Sequence, residues 1–142
     1  MYERKIPLPL DCGLHLTREV LNGKWKPAIL NAISLDIVRP SEMVRALSDA
    51  SKRVLNTQLR ELENHGIIGK TIYQQYPSKV EYFLTDLGKS LMPVIDAMNY
   101  WGDQNRSILK PLIAADTIVA EPSGSGCQTY QSMVKVHNAA IA

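Results

Sequence analysis

The stretch that decides the fold is SKRVLNTQLRELENHG, residues 51–66. Leu55, Leu59 and Leu62 recur at i, i+4 and i+7, the spacing of the buried side of an amphipathic α-helix. Ser51 is a typical N-cap residue, and Gly66 is suited to end the helix. The opposite side then presents polar and cationic side chains, namely Lys52, Arg53, Asn56, Thr57 and Arg60. Arginine and asparagine pair with base edges in the major groove, and lysine and threonine suit phosphates. The stretch therefore predicts a helix that contacts DNA.

Every amphipathic helix has a polar face, so an ordinary solvated helix is the alternative for this stretch alone. The preceding residues favour DNA contact. Pro40 fits just before a short helix, for which Ser41 is the predicted N-cap and Glu42–Leu47 the body. Residues 48–50 form a turn. A short helix, a tight turn and a cationic helix make up a helix-turn-helix.

The residues after Gly66 predict a hairpin, the wing of a winged helix. Two β-type runs, Ile67–Gln75 and Lys79–Leu84, are joined by residues 76–78, which include a proline. Tyr76, Ser78 and Lys79 supply a short polar tip of the kind that lies along a minor groove or a phosphate ribbon. A purely structural hairpin with a solvated lysine is the alternative.

Helices are predicted on both sides of this unit. Asp11 is the expected N-cap of a short first helix ending at residues 22–23, and a second helix starts near Trp25. Thr85 begins a long last helix, whose apolar positions continue through Pro93 to Trp101. We expect an α+β, mainly α fold: a winged helix-turn-helix with a two-stranded wing and a long C-terminal dimerisation helix. Residues 1–10 are an N-terminal arm, 11–110 the domain, and 111–142 a C-terminal extension of linker-like composition.

Composition bounds the function. The chain has 142 residues, of which 45% are hydrophobic, enough for one domain. The net charge of +2 is uninformative for the whole chain, but the segment from Arg39 to Arg60 contains five basic residues and only two acidic ones. No apolar run reaches membrane-spanning length and no secretory signal is recognisable, so a cytoplasmic protein is expected. Cys12 and Cys127 lie far apart, and no catalytic, phosphate-binding or metal-ligand pattern occurs. We expect no enzyme, cofactor or metal.

The same residues resemble a known family. The strings GKW at 23–25 and VEYFLTDLG at 80–88, together with Arg39, Leu91 and Trp101, are similar to the HxlR family of bacterial winged helix-turn-helix regulators. The resemblance extends from Cys12 to about Trp101. It departs at Pro40, where an aromatic residue is usual, at residues 49–50, and at Asn56, where threonine is common. The operator sequence of other members therefore cannot be carried over.

The resemblance implies a homodimeric DNA-binding regulator, which we expect to be a repressor with an unknown effector. Family members dimerise through the first and last helices, which here offer Leu14, Leu21, Leu91, Ile95, Met98 and Trp101. The expected DNA contacts also include Arg39 and Ser41, at the start of the helix-turn-helix, and Ser51, at the start of the cationic helix. The rival function is a winged-helix module that docks a protein partner. A continuous positive surface over Lys52, Arg53, Arg60 and Lys79 would favour DNA.

Cys12 is a candidate redox sensor. The resemblance implies this role, because in some members a cysteine at this spacing senses quinones, aldehydes or oxidants. If Asp11 caps the first helix, Cys12 lies in its first turn, where the helix dipole favours a thiolate, while the Asp11 carboxylate opposes it. The match is imperfect because Gly13 stands where proline is more frequent. The alternative is a small buried thiol at the dimer interface.

Overall fold

The structure of the chain, a computed structural model, describes residues 9–116. Most of the predicted arm and extension, with Cys127, lies outside the described residues. The elements follow in the order α1 Gly13–Val20, α2 Lys26–Ser34, α3 Pro40–Ala46, α4 Lys52–Asn64, β1 Ile68–Tyr73, β2 Lys79–Leu84, α5 Asp86–Gln104 and α6 Arg106–Asp116. This is a mainly helical winged helix-turn-helix with a two-stranded antiparallel wing, which confirms the predicted fold class.

The core holds α4 by its leucine side. Leu55, Leu59 and Leu62 are at most 1% exposed, as the spacing predicts. They pack in one cluster with side chains from α2, α3, the start of the wing and α5, among them Ile29, Leu30, Met43, Ile67, Ile68 and Ile95. Burial of this apolar surface is the main force that seats α4. The polar side of the helix is consequently left facing outward.

Local capping fixes where α4 begins and ends. The Ser51 hydroxyl accepts a hydrogen bond from the Val54 N–H at 3.2 Å, as expected for the N-cap. The helix ends at Asn64, and Gly66 adopts a φ of 72°. This left-handed conformation carries little cost for glycine and turns the chain into β1. Both predicted ends of the helix are confirmed.

Two predicted helix starts are wrong by one or two residues. Helix α3 begins at Pro40, and Arg39 occupies the cap position without a side-chain cap bond, so Ser41 is not the N-cap. The reason is that the fixed φ of proline suits the first position of a helix, where its missing N–H costs nothing. Helix α1 begins at Gly13, with Cys12 in an extended conformation at the cap position. Asp11 therefore does not cap α1, and Cys12 precedes its first turn.

The wing is tied to the helix-turn-helix as well as to itself. Strands β1 and β2 pair from Ile68 opposite Leu84 to Tyr73 opposite Lys79. The Tyr82 N–H donates to the Val38 carbonyl at 2.9 Å, which attaches β2 to the segment just before α3. Strand β1 ends at Tyr73, two residues earlier than predicted, so the tip comprises residues 74–78.

Helix α5 starts in close contact with Ile67, in the segment between α4 and β1. Its N-cap, Thr85, accepts from the Gly88 N–H at 3.1 Å and donates from its own N–H to the Ile67 carbonyl at 3.1 Å. A side chain at Gly88 would place Cβ 2.1 Å from that carbonyl oxygen, so glycine permits the approach. The helix continues through Pro93, as predicted. After Asn105, α6 crosses residue 110 and carries the helical part of the chain six residues into the predicted extension.

Candidate nucleic-acid interface

The exposed side of α4 brings five of the predicted DNA-contacting residues together. Lys52, Arg53, Asn56, Thr57 and Arg60 are all exposed and line one shallow concavity of about 620 Å³. Across residues 9–116, no carboxylate forms an ion pair with Lys52, Arg53 or Arg60. Their hydrogen-bond donors are therefore available to an anionic or acceptor-rich partner.

Thr57 differs from its neighbours in this group. Its hydroxyl donates to the Arg53 carbonyl one turn earlier, at 3.0 Å, so the donor is used within the helix. The exposed methyl group and the hydroxyl lone pairs remain. A threonine methyl suits contact with the methyl group of thymine, whereas its hydroxyl can only accept here.

A second group lies between the start of α3 and the wing tip. Arg39, Ser41, Ser78 and Lys79, all predicted DNA contacts, line one groove of about 400 Å³. Tyr76 is fully exposed at the tip and is not part of this lining. The predicted set is thus divided into a face on α4 and a groove at the wing.

Glu81 organises the cations of the wing, and the sequence analysis missed this role. Its carboxylate lies 2.8 Å from Lys79 Nζ and 3.4 Å from Arg39 Nε. The hydrogen bond from Lys79, with a smaller contribution from Arg39, holds the pKa of Glu81 below its ordinary value. Lys79 also lies over the Tyr73 ring, 5.0 Å from its centre. Side chains alternate between the two faces of a strand, so residues 79 and 81 of β2 lie on one face. This alternation is the sequence pattern from which the contact between Lys79 and Glu81 could have been predicted. The wing cations are consequently offset by a carboxylate, unlike those of α4.

The turn before α2 fastens onto α4, a contact that the sequence analysis also missed. Lys26 is only 2% exposed, and its Nζ lies 2.7 Å from Glu61 Oε2. The Trp25 N–H donates to Gln58 Oε1 at 2.9 Å. A Cβ added to Gly23 would meet the same oxygen at 3.0 Å, so glycine lets the turn approach closely. No local sequence pattern predicts that residues 25 and 26 contact residues 58 and 61, because these residues are far apart along the chain.

The predicted dimer residues occupy different environments. Leu14, Met98 and Trp101 are 83%, 47% and 61% exposed, so a second copy could reach them. Leu21 and Leu91 are partly buried against the core. Ile95 is 3% exposed and fills the core of its own chain, where a second copy could not contact it. Further exposed apolar side chains lie on α6, namely Ile108, Leu112 and Ile113.

Cys12 is half-buried and unpaired as a thiol. In residues 9–116 there is no cluster of three side chains suited to hold a metal ion. Over the same residues, no helix combines the length and apolar content needed to cross a membrane.

The fold and the α4 face together define a winged helix-turn-helix protein that presents the cationic, polar side of one helix to solvent. The chain belongs to the family described as HxlR-like helix-turn-helix, whose model matches residues 20–109. It is therefore a helix-turn-helix transcriptional regulator and not an enzyme, since the family consists of regulators.

Three relatives illustrate the similarity. The chain is 38% identical over 112 residues to the uncharacterized HTH-type transcriptional regulator YybR of Bacillus subtilis, covering 78% of this chain and 90% of that protein. The redox regulator HypR in its reduced form superimposes with a TM-score of 0.66 at 38% identity, covering 70% of this chain and 99% of HypR. Diamide-treated YodB of B. subtilis gives a TM-score of 0.55 at 28% identity, with 66% and 93% coverage.

Proposed function

We propose that the chain is a homodimeric transcriptional repressor that binds an inverted-repeat operator in the cytoplasm. The observation that carries the proposal is the exposed side of α4, where three cations that form no ion pair with a carboxylate of residues 9–116 flank Asn56 and Thr57. The buried leucines on the other side leave this face free to enter a major groove. Arg53 and Asn56 would read base edges, while Lys52 and Arg60 would hold phosphates.

The dimer part of the proposal rests on apolar surface. Helices α1, α5 and α6 expose Leu14, Met98, Trp101, Ile108 and Leu112, each by 47% or more of its side-chain surface. Exposed apolar side chains in such number favour an interface between proteins. A two-fold dimer would present two α4 helices to successive major grooves about 34 Å apart, which requires an inverted repeat.

The rival, a module that docks a protein partner, draws support from the wing. Glu81 offsets Arg39 and Lys79, so the positive surface predicted over α4 and the wing is interrupted at the wing. On α4 it is not interrupted, and membership of a family of DNA-binding regulators favours DNA. We therefore assign the reading role to α4 and a weaker, phosphate-directed role to the wing.

Fluorescence anisotropy with short duplexes tests the proposal. A random-sequence library is first passed over the protein, and the retained duplexes are sequenced. The best duplex is then titrated against a scrambled duplex of equal length and composition. We expect preferential, salt-sensitive binding of the selected duplex, with two inverted half-sites. Equal competition by the scrambled duplex would contradict DNA reading, and a monomer by light scattering at micromolar concentration would contradict the dimer.

Redox control through Cys12 is a second proposal. Cys12 is a free, half-buried thiol at the start of α1, the helix that exposes Leu14 at the proposed interface. HypR is described as a redox regulator, and a structure of YodB was obtained after diamide treatment. Diamide would take two protons and two electrons from the Cys12 thiols of two copies, forming one S–S bond and the reduced hydrazine. The bond would shift α1 and with it the spacing of the α4 helices.

The matched variant for this second proposal is Cys12→Ser, which retains the size of the side chain but cannot form a disulfide. We expect diamide to release DNA from the parent and not from the variant, while the untreated variant binds DNA as the parent does. Release from both proteins, or from neither, would leave Cys12 as a packing residue.

A further inference from the structure

Residues 23–26, which comprise the turn before α2 and the first residue of α2, contact α4 on a flank that adjoins the proposed DNA surface. Gln58 and Glu61 are three residues apart and so lie on one side of the helix. Each takes a polar contact from the turn: Gln58 from the Trp25 N–H at 2.9 Å, and Glu61 from Lys26 Nζ at 2.7 Å. This grip on α4 therefore comprises one backbone hydrogen bond and one ion pair.

These polar contacts restrict the rotation of α4 about its own axis, which the buried leucines alone do not. Apolar burial is non-directional, so three leucines in a cluster leave the helix some freedom to roll about its own axis. Hydrogen bonds and ion pairs have a preferred geometry, and two of them along one flank oppose such a roll. A roll would move Arg53 and Asn56 away from the base edges while leaving the core buried.

The burial of Lys26 indicates a role beyond surface charge. Its side chain is 2% exposed at the first position of α2, whereas that of Glu61 is 46% exposed. Burying a lysine is costly, and an apolar side chain of similar length would often serve stability as well. What an apolar side chain cannot supply is the directional contact to Glu61.

The grip also lies next to the side chains that would read DNA. Gly23, Gln58 and Glu61 share the lining of a shallow concavity of about 310 Å³ with Arg53 and Thr57. A change in the conformation of the turn would therefore affect the positions of Arg53 and Thr57. Gly23 favours this proximity, because a Cβ there would lie 3.0 Å from Gln58 Oε1 and the glutamine side chain would have to shift.

We propose that Lys26, acting through Glu61, and the Trp25–Gln58 hydrogen bond together set the rotation of α4 and so determine DNA sequence selectivity. Lys26 and Gln58 are thus positioning residues that do not themselves touch DNA. The inference rests on the proposed reading role of α4. It assigns selectivity to residues that belong to neither the α4 face nor the wing groove.

The test substitutes Lys26→Met, which keeps the length of the side chain and removes the contact to Glu61. Lys24→Met is the matched control, because this substitution removes the same charge from an exposed neighbouring residue. Lys24 lies over the Trp25 ring, 5.3 Å from its centre. Both variants are titrated with the selected duplex and its scrambled counterpart at several salt concentrations, and their thermal unfolding is followed.

For Lys26→Met we expect the ratio of selected to scrambled affinity to fall about tenfold, the worth of one well-formed bidentate base contact. The salt dependence should stay that of the parent, because a buried lysine neutralises no phosphate. Thermal unfolding should stay close to that of the parent, since half-exposed Glu61 can be hydrated. Lys24→Met should keep the affinity ratio of the parent. An unchanged ratio in Lys26→Met, or equal losses for both duplexes, would overturn the inference.

A second pair of variants serves if Lys26→Met does not fold. Gln58→Leu removes the acceptor for the Trp25 N–H, and Gln58→Glu retains one. We expect selectivity to fall in the leucine variant and to be restored in the glutamate variant. Equal selectivity in the two would refute a positioning role. If the parent itself selects no duplex, the proposed function fails; if the parent selects and these variants match it, only the present inference fails.

Discussion

Replacing Gly88 with alanine is expected to destabilise the fold strongly. The added Cβ would lie 2.1 Å from the Ile67 carbonyl oxygen. Because an ordinary carbon–oxygen contact is about 3.3 Å or longer, α5 and Ile67 would have to separate by roughly 1 Å. The same oxygen accepts a hydrogen bond from the Thr85 N–H at 3.1 Å and shares the proton of the Thr85 hydroxyl with the Gly66 carbonyl, at 3.0 Å and 2.6 Å. The separation would break or weaken both bonds.

The expected loss follows from these contacts. About 1 kcal/mol for the Thr85 N–H bond, about 0.5 kcal/mol for the shared hydroxyl bond and about 2 kcal/mol of overpacking, less about 1 kcal/mol for the better helix propensity of alanine, give a net loss of about 2.5 kcal/mol. For a domain of this size, that loss lowers the midpoint of thermal unfolding by about 10 °C or more. Urea unfolding followed by circular dichroism would measure the free energy directly.

Gly102→Ala is the control for this substitution. Gly102 lies in the same helix, and a Cβ there would meet nothing within 4 Å. Alanine should therefore raise the free energy of unfolding by about 0.5–1 kcal/mol through helix propensity alone. A loss below about 1 kcal/mol for Gly88→Ala, at the same protein concentration, would show that the contact with Ile67 is not the constraint described here.

The remaining predictions concern α4 and the wing. Ser51→Ala removes the acceptor for the Val54 N–H and should cost about 1 kcal/mol in urea unfolding; an unchanged midpoint would mean that the cap contributes little. Arg53→Ala and Asn56→Ala should each weaken binding of the selected duplex by about 1–3 kcal/mol and relax selectivity, as measured by anisotropy. Lys79→Ala should weaken all duplexes alike and lower the salt slope by about 1. If Arg53→Ala and Asn56→Ala also weakened binding of all duplexes alike, α4 would contact only the DNA backbone.

Local rules were sufficient to predict the elements that carry the proposed site. The Leu55, Leu59 and Leu62 spacing fixed the buried side of α4, and the Ser51 cap and Gly66 turn fixed its ends. These features depend on neighbours within a few residues, so they can be predicted from the sequence. Where two local preferences competed, the prediction was wrong: Pro40 and Ser41 both suit a helix start, and proline took the first helical position.

Contacts between distant parts of the chain were not predictable in the same way. The pairing of Lys26 with Glu61 depends on how α2 packs against α4, and no periodicity encodes it. Helix α5 gave a related difficulty. It is apolar on more than one side, so its pattern does not say that Ile95 faces the core while Met98 is exposed. Glu81 is an intermediate case, because the alternation of β2 places it beside Lys79 but says nothing of Arg39.

The separation between the side chains that hold α4 and those that face outward has an evolutionary consequence. Lys26 contacts Glu61 on the flank of α4, whereas Arg53 and Asn56 lie on its outward side. Asn56 does not line the concavity that Gln58 and Glu61 share with Arg53. Substitutions of residues without shared contacts act nearly independently, so Asn56 can be exchanged while the contact between Lys26 and Glu61 stays intact, whereas an exchange of Arg53 is coupled to that contact. After gene duplication, two copies of such a regulator can diverge toward different target genes through a few substitutions on one helix. The anchored turn would then be the slowest part of the domain to change.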